Sequence, residues 1–349
     1  MEGEKTMNVS IVDEILDYRH VIKQMPLSKE LSANKATHDR EISDIITGVS
    51  NKFLLIIGPC SAHNEDAVVD YASRLAKLKT RYQEKLSIVL RVYTNKPRTN
   101  GNGYKGLVHQ PDPQKKPNLR EGIFAIRKIH LSILEQSGLP TADEMLYPEN
   151  HVYLADLLSY VAVGARSSEN QQHRLVASGI DLPVGIKNPT SGDLNVMMNS
   201  LQAVQSGHDF IYRQQVVRSF GNMLSHAILR GAIDKNGVSI PNYHYEDLKL
   251  ATDLYISRNF QNPTIIIDTN HDNSHKQYKE QPRIVKEILT NRQWDELLHK
   301  TIKGLMIESF LEEGRQDIES SNIYGKSITD SCLGWEQTEE LIHYIAENI

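Results

Sequence analysis

The residues that can do chemistry in this 349-residue chain stand one by one behind short apolar runs. Cys60 follows FLLII at 53–57, Arg91 closes SIVLR, Glu144 ends TADE and Arg166 follows VAVGA. Lys187 ends PVGIK, Arg230 stands in the long connection beyond DFIYR, His271 follows TIIID and Glu308 ends GLMIE. Thiolate, imidazole and carboxylate brought together suit a divalent transition metal, because soft sulfur, borderline nitrogen and hard oxygen donors combine in one ligand set. The cations suit anions: a guanidinium grips phosphate or carboxylate oxygens in pairs, and a lysine adds a compact charge. They are densest in SIVLRVYTNKPRTNGNGYKG (87–106), where Arg91, Lys96, Arg98 and Lys105 fall within fifteen residues that contain no acid, although the chain's formal charge is −5. Such a local field implies a strongly anionic ligand carrying more than one phosphate. Taken singly, each residue has a plainer reading: a lone cysteine is usually a small buried hydrophobe, and a lysine or arginine after a strand is usually solvated. Convergence on one surface is what would make them a site.

The elements that would bring them together are short strands alternating with helices. The runs FLLII (53–57), SIVLRVY (87–93), TADEM (141–145), VAVGA (161–165), PVGIK (183–187), DFIYR (209–213), TIIID (264–268) and GLMIE (304–308) read as eight strands. Between them, Val68, Ala72, Leu75 and Leu78 share a helical face capped by Asn64, and GIFAIRKIHLSIL, HVYLADLLS and LNVMMNSLQAVQ are the other helical segments. This alternation predicts a (β/α)8 TIM barrel, in which the residue after each strand lines one rim. Residues 1–50 read as an N-terminal arm, with helical patches around Val12–Val21 and Ile42–Ile46 and Gly48 as a stop, and 51–349 as the catalytic barrel.

Composition excludes several classes. A sequence pI near 6.3 with no long basic tract argues against nucleic acid. The longest apolar runs, such as FLLII, are too short to span a bilayer, and the first twenty residues lack a secretory pattern, so a cytoplasmic protein is expected. Two cysteines, Cys60 and Cys332, fit a reducing compartment rather than a disulfide scaffold.

Eight blocks, in order and at compatible spacing, resemble the metal-dependent class I 3-deoxy-D-arabino-heptulosonate 7-phosphate (DAHP) synthases. They are IIGPCSAHNEDAVVDYASRL, LRVYTNKPRT with GYKGL, VGARSSENQQHRLVASG, PVGIKNPTSG, ILRG with PNY, IDTNHDNSHKQ, MIESFLEEG and YGKSITDSCLGWE. The resemblance implies condensation of phosphoenolpyruvate with erythrose 4-phosphate and water to DAHP and phosphate, the first step of the shikimate pathway. It implies metal ligation by Cys60, His271, Glu308 and Asp330, with Mn2+ expected first and Fe2+, Co2+ or Zn2+ as alternatives. Phosphoenolpyruvate would meet Arg91, Lys96, Arg166, Lys187 and Arg230, and the aldose phosphate would meet the Lys96-Pro97-Arg98-Thr99 turn. Catalytic roles fall on Lys96, His271 and Glu144, the last either working on the attacking water or pairing a cation.

The related synthase that takes arabinose 5-phosphate and a non-catalytic, effector-binding barrel are the rival readings. KPRT speaks against the first, and the retained thiolate against the second. The family also implies a homodimer or homotetramer, with the arm reaching a neighbour, and an aromatic amino-acid effector held between the loop before strand five and a hairpin after strand six. Four features depart from it. TNGNGYKG is one residue longer after Thr99, the stretch from Phe210 to Arg230 is several residues shorter than usual, Asp181 stands where a serine is expected, and Tyr212 stands where a small residue is expected. The last two predict weak or absent feedback inhibition, with the Tyr212 ring filling the effector's space and the Asp181 carboxylate repelling the effector's own.

Overall fold

The computed structural model describes residues 8–98, 101–320 and 323–349. Eight parallel strands close into a barrel: β1 (Phe53–Gly58), β2 (Leu86–Arg91), β3 (Thr141–Glu144), β4 (Leu158–Val163), β5 (Val184–Lys187), β6 (His226–Leu229), β7 (Ile265–Asp268) and β8 (Ile302–Glu308). They run in chain order around the barrel, and β1 meets β8 in the register Leu54↔Gly304 to Gly58↔Glu308. These strands read as nearly unbroken apolar runs because both faces are covered. Leu54, Ile56, Val89, Tyr160, Ile228, Ile266 and Met306 pack in one cluster inside the barrel, while Leu55, Ile57, Ile88, Leu90, Ile267 and Ile307 pack outward in the cluster they share with the helices.

The helices follow their sequence signals. α1 (Tyr18–Gln24) and α2 (Lys29–Thr47) precede the barrel, and α3 (Glu65–Arg81) is capped by Asn64, whose Oδ1 accepts from Ala67 N at 3.0 Å. α4 (Leu119–Ser137), α5 (Gln171–Ala177), α6 (Leu194–Gln205), α7 (Tyr245–Ser257), α8 (Gln281–Trp294), α9 (Glu296–Thr301) and α10 (Trp335–Asn348) complete the set. The first expected patch is shorter than its pattern, since helix begins only at Tyr18. HVYLADLLS divides between a 3-10 turn (Pro148–Tyr153) and the start of β4.

α2 does more than lead in. Its Ile42, Ile45 and Ile46 are fully buried in the same cluster as the barrel interior. Thr264 Oγ1 and Lys303 Nζ donate to Ile46 O at 3.2 and 2.6 Å. The helix therefore stoppers the N-terminal end of the barrel, and three buried isoleucines contribute at most roughly 5–9 kcal/mol. Gly48, with φ 79°, ends it in the left-handed conformation that glycine adopts without strain. Among the described residues no helix is long and apolar enough to cross a membrane.

One strand differs from the sequence reading. DFIYR does not enter the barrel: Asp209–Tyr212 pairs antiparallel with Gln215–Arg218 as an outlying hairpin, leaving Ile211 73% and Val216 80% exposed. The sixth barrel strand is His226–Leu229, all four residues buried. Two features hide the exchange. The hairpin turns on Arg213 and Gln214, both at positive φ without the usual Asn-Gly signal. His226 is a polar letter at the head of a buried strand, paired inside by Tyr160 Oη at 2.7 Å from Nε2. Arg230 consequently sits directly behind its strand rather than in a long connection, and the hairpin precedes strand six rather than following it.

Candidate active site

The C-terminal ends of the strands gather the reactive side chains on one rim, where barrels of this type place them. Close approach of β1 and β2 begins it: a Cβ at Gly58 would stand 2.4 Å from Arg91 O, so only glycine lets the two strand ends lie together. Arg91 is 1% exposed, donates from Nη1 to Pro59 O at 2.7 Å, lies 3.9 Å from the Tyr93 ring centre and places Nη2 2.8 Å from Glu308 Oε1. Next to it, Cys60 Sγ donates to Asp330 Oδ2 at 3.2 Å. Lys96 Nζ reaches the same sulfur at 2.9 Å and Cys60 O at 2.7 Å.

Cys60, Glu308 and Asp330 thus present three ligand atoms that all lie within 4.8 Å of one another. His271, expected as a fourth ligand, stands at the edge of this group, with Nε2 4.0 Å from Glu308 Oε1 and Nδ1 2.8 Å from Asp268 Oδ2. A carboxylate against one imidazole nitrogen leaves the other turned to the group, the usual arrangement behind a metal-ligating histidine. The set fits a divalent ion on its own chemistry. Glu308 Oε1 is buried without a hydrogen bond of good geometry, and sulfur, carboxylate and imidazole donors are crowded where an isolated anion would be costly.

The electrostatics follow from burial opposed by charge. Burial first, and the Glu308 carboxylate second, push the Cys60 thiol up to about 11 against the pull of Lys96. For Glu308, burial works upward, but Arg91 and then His271 outweigh it and hold the carboxyl below its usual range. Asp330 and Asp268 are likewise opposed by burial yet held well below the ordinary carboxylate range, Asp330 by Lys96 and His271, Asp268 by His271 and Lys187. Lys96 is raised: burial would lower it, and the neighbouring Cys60 wins.

A cavity of about 130 Å3 opens beside this group. Arg91, Lys96, Arg98, Arg166, Lys187, Arg230 and Lys276 line it, together with Pro97, Glu144, His271 and Asp330. Every expected site residue among the described ones is therefore at one place, with Cys60 and Glu308 beneath; Thr99 lies outside the described residues. Lys187 Nζ is 3.2 Å from Asp268 Oδ2 and 3.9 Å from Glu144 Oε2. Glu144 owes its room to Gly164, where a Cβ would stand 2.6 Å from Glu144 Oε1. Arg230 pairs with Asp272, which Ser239 Oγ also reaches at 2.8 Å. Arg98 Nε donates to Tyr104 O at 2.8 Å, and the loop is tied at its base by an Asn95↔Gly106 bridge.

Sequence reasoning passed over Asp268, Asn270 and Lys276. Asp268 is the last residue of β7 and obeys the same end-of-strand rule as Glu308, so its signal was present. Asn270 Nδ2 donates to Glu308 Oε2 at 2.6 Å, and Lys276 belongs to a loop held in unusual conformations at His271, His275 and Lys276, all at positive φ. No periodicity announces such a loop.

A closed parallel barrel whose rim joins a metal-capable Cys-Glu-Asp group to a ring of cations defines an enzyme of phosphorylated substrates. The profile of the DAHP synthetase I family matches residues 25–343. The phospho-2-dehydro-3-deoxyheptonate aldolase of Haemophilus influenzae is 37% identical over 346 residues, covering 97% of this chain and 92% of that protein. The Trp-sensitive phospho-2-dehydro-3-deoxyheptonate aldolase of Escherichia coli is 35% identical over 357 residues, covering 100% and 99%. The solved structure of the Francisella tularensis SCHU S4 phospho-2-dehydro-3-deoxyheptonate aldolase superposes with a TM-score of 0.90 at 30% identity, covering 98% of each chain. The chain belongs to the DAHP synthetase I family.

Proposed function

We propose that this protein is a 3-deoxy-7-phosphoheptulonate synthase, condensing phosphoenolpyruvate with D-erythrose 4-phosphate and water to DAHP and inorganic phosphate. The observation that carries the reading is the rim cavity itself, where seven Lys and Arg side chains surround a space bordered by Cys60, Glu308 and Asp330. Arg166, Lys187 and Arg230 face the phosphate and carboxylate of phosphoenolpyruvate, with Arg91 holding Glu308 in place behind them. Arg98 and Lys96 face the aldose phosphate. C3 of phosphoenolpyruvate attacks the aldehyde carbon and a C–C bond forms. Water adds at the positive C2, its proton passing to the rim. The C2–O bond of the resulting phosphohemiketal then breaks as the new hydroxyl gives its proton to the departing phosphate and becomes the C2 ketone, the phosphate charge being met by the surrounding cations. Lys96, kept charged beside Cys60, gives its proton to the new alkoxide. Glu144, 3.9 Å from Lys187 Nζ, is placed to orient that water or to pair the lysine. A divalent ion held by Cys60, Glu308 and Asp330 with His271, Mn2+ before Fe2+, Co2+ or Zn2+, would supply Lewis-acid polarisation of the aldehyde oxygen.

The direct test is phosphate release with both substrates and Mn2+, expected to stop in chelator. Full turnover in a chelated protein free of metal by elemental analysis, or turnover with arabinose 5-phosphate alone, overturns the reading. Arg98→Ala separates the two substrates. Losing a charge-assisted contact worth about 1.5–3 kcal/mol should raise KM for erythrose 4-phosphate roughly 10- to 100-fold and leave that for phosphoenolpyruvate nearly unchanged. The opposite ranking in steady-state kinetics would mean the two subsites are exchanged.

We place the protein in the cytoplasm, where Cys60 stays reduced, and read the exposed Ile11 and Val12 of the arm, Ile211 and Val216 of the hairpin and Phe220 just beyond it as subunit contacts of a homodimer or homotetramer. Feedback is expected to be weak. Tyr212 does not fill the space foreseen for it: its hydroxyl donates to Pro148 O at 2.9 Å and its ring forms a wall of a cavity of about 530 Å3. The wall's charges decide instead. Lys35 is paired with Asp39 and Arg218 with Asp209, which leaves the Asp181 carboxylate to oppose that of an amino acid. Titrating phenylalanine, tyrosine and tryptophan against initial rate tests this, and strong submillimolar inhibition by any of them would contradict it.

A further inference from the structure

At the other end of the barrel, beside the N-terminal ends of β1 and β8 and the last turn of α2, lies a cavity of about 590 Å3, larger than that at the rim. Lys52, Arg292, His299, Lys300 and Lys303 line it, and its described lining residues include no aspartate or glutamate. In a chain of net charge −5, five basic side chains around one acid-free space demand a physical reason.

Two of them have local partners at the outer edge, Lys52 with Glu41 at 3.1 Å and Lys300 with Glu296 at 2.6 Å. The inner two do not. Arg292 is 7% exposed, gives Nε to Ile302 O at 2.9 Å and Nη2 to His299 O at 3.4 Å, and lies 4.6 Å from the Phe53 ring centre. Lys303 gives Nζ to Ile46 O at 2.6 Å. Among the described residues neither meets a carboxylate. Burial pulls Arg292 down to about 10 and Lys303 down to about 8. Burial, followed by the charges of Arg292 and Lys300, also lowers His299. A neutral amide could tie the same carbonyls without that desolvation penalty. A buried cation is retained against it most readily where an anion comes to share the space.

We propose that this cavity is a second anion site, distinct from the rim, that takes a doubly charged phosphate group, free or as the phosphate of a small metabolite. Arg292 supplies the part of its fork that the two carbonyls leave unused. Lys303 and Lys300 supply point charges on either side, and His299 adds a donor to a singly protonated phosphate. The site is built where α9 runs into β8, with Arg292 of α8 and the Phe53 end of β1 as its floor, so all but the outermost groups are held by the barrel itself.

The test counts inorganic phosphate bound to the full chain by equilibrium dialysis, at constant ionic strength made up with chloride, with and without saturating phosphoenolpyruvate. A Lys300→Gln/Lys303→Gln variant should bind one phosphate fewer per chain than the parent in both conditions, while turnover is unchanged. Equal counts overturn the proposal. Because the count is a difference between two proteins, it stands even if phosphoenolpyruvate is not the rim's ligand. Lys303 also ties Ile46 O, so a second variant, Lys300→Glu on an exposed side chain, checks the result without disturbing the stopper. It should weaken the variant-sensitive phosphate about tenfold at an unchanged melting temperature, and unaltered affinity also counts against the site. Glycerol 3-phosphate distinguishes the sources: displacement at lower concentration than phosphate assigns a phosphorylated metabolite, and failure to displace assigns the free ion.

Discussion

Cys60→Ser should lower metal affinity by about a hundredfold or more and reduce turnover at limiting Mn2+ to roughly one per cent, since even partners outside the ligand shell cost 10- to 100-fold when lost. The serine hydroxyl is slightly smaller than the thiol and can still donate toward Asp330, but it cannot offer a soft, ionised donor. The thiol also dictates a pH signature. Burial and the Glu308 charge hold it at about 11 in the metal-free protein, so at neutral pH each ion that binds must expel the thiol proton. Apparent metal affinity should then climb with pH between about pH 7 and 9, by about tenfold per pH unit for the one thiol proton expelled. The serine variant should lose that slope. A metal titration at three pH values reads both effects, and parent-like activity of the variant at limiting metal would remove Cys60 from the ligand set.

The end-of-strand rule made much of the site legible. Cys60, Glu144, Lys187 and Glu308 terminate or closely follow apolar runs that are true barrel strands, and a parallel barrel gives all such positions one rim. What the rule cannot supply is which apolar run enters the barrel. Ile211 and Val216 are as hydrophobic as Ile228, and only closure of the ring, a property of the whole chain, expels the hairpin and admits HAIL. The destination of α2 was hidden for the same reason. The spacing of Ile42, Ile45 and Ile46 announces a helical face, yet the surface that covers it is assembled from side chains on strands between β1 and β8, hundreds of residues apart. Asp330 shows a third limit. It reaches Cys60 across 270 positions from a loop beyond β8, so no local pattern marks it, and it was found only through resemblance. Lys276 and Asn270 fall in the same class, being carried by a loop whose left-handed residues are neither glycine nor periodic.

Lys96→Met is the second large effect, with kcat expected to fall about 10²- to 10⁴-fold, the span that a positioned proton donor contributes. Lys96 Nζ lies 2.9 Å from Cys60 Sγ and 2.7 Å from Cys60 O, so one ammonium touches both the metal-capable group and the cavity. Burial disfavours its charge, but Cys60 once ionised, and Asp330 and Glu308 at any neutral pH, hold its pKa up, and it remains an acid through the neutral range. An acid of that strength gives its proton to an alkoxide, a far stronger base, and not to the bound carboxylate or phosphate. The variant should therefore lose kcat more than it raises KM for phosphoenolpyruvate, since the contacts proposed for Arg166, Lys187 and Arg230 would remain. Removing the ammonium also takes away the charge that restrains the Cys60 thiol, so metal affinity should drop as well, and the assay must be run at saturating Mn2+ to isolate the proton transfer. Lys96→Arg completes the argument: it keeps the positive charge beside Cys60 and should recover metal affinity, while its guanidinium, which does not release a proton in this range, should leave kcat low. If Lys96→Met holds kcat within about tenfold of the parent at saturating metal, the alkoxide takes its proton from elsewhere on the rim.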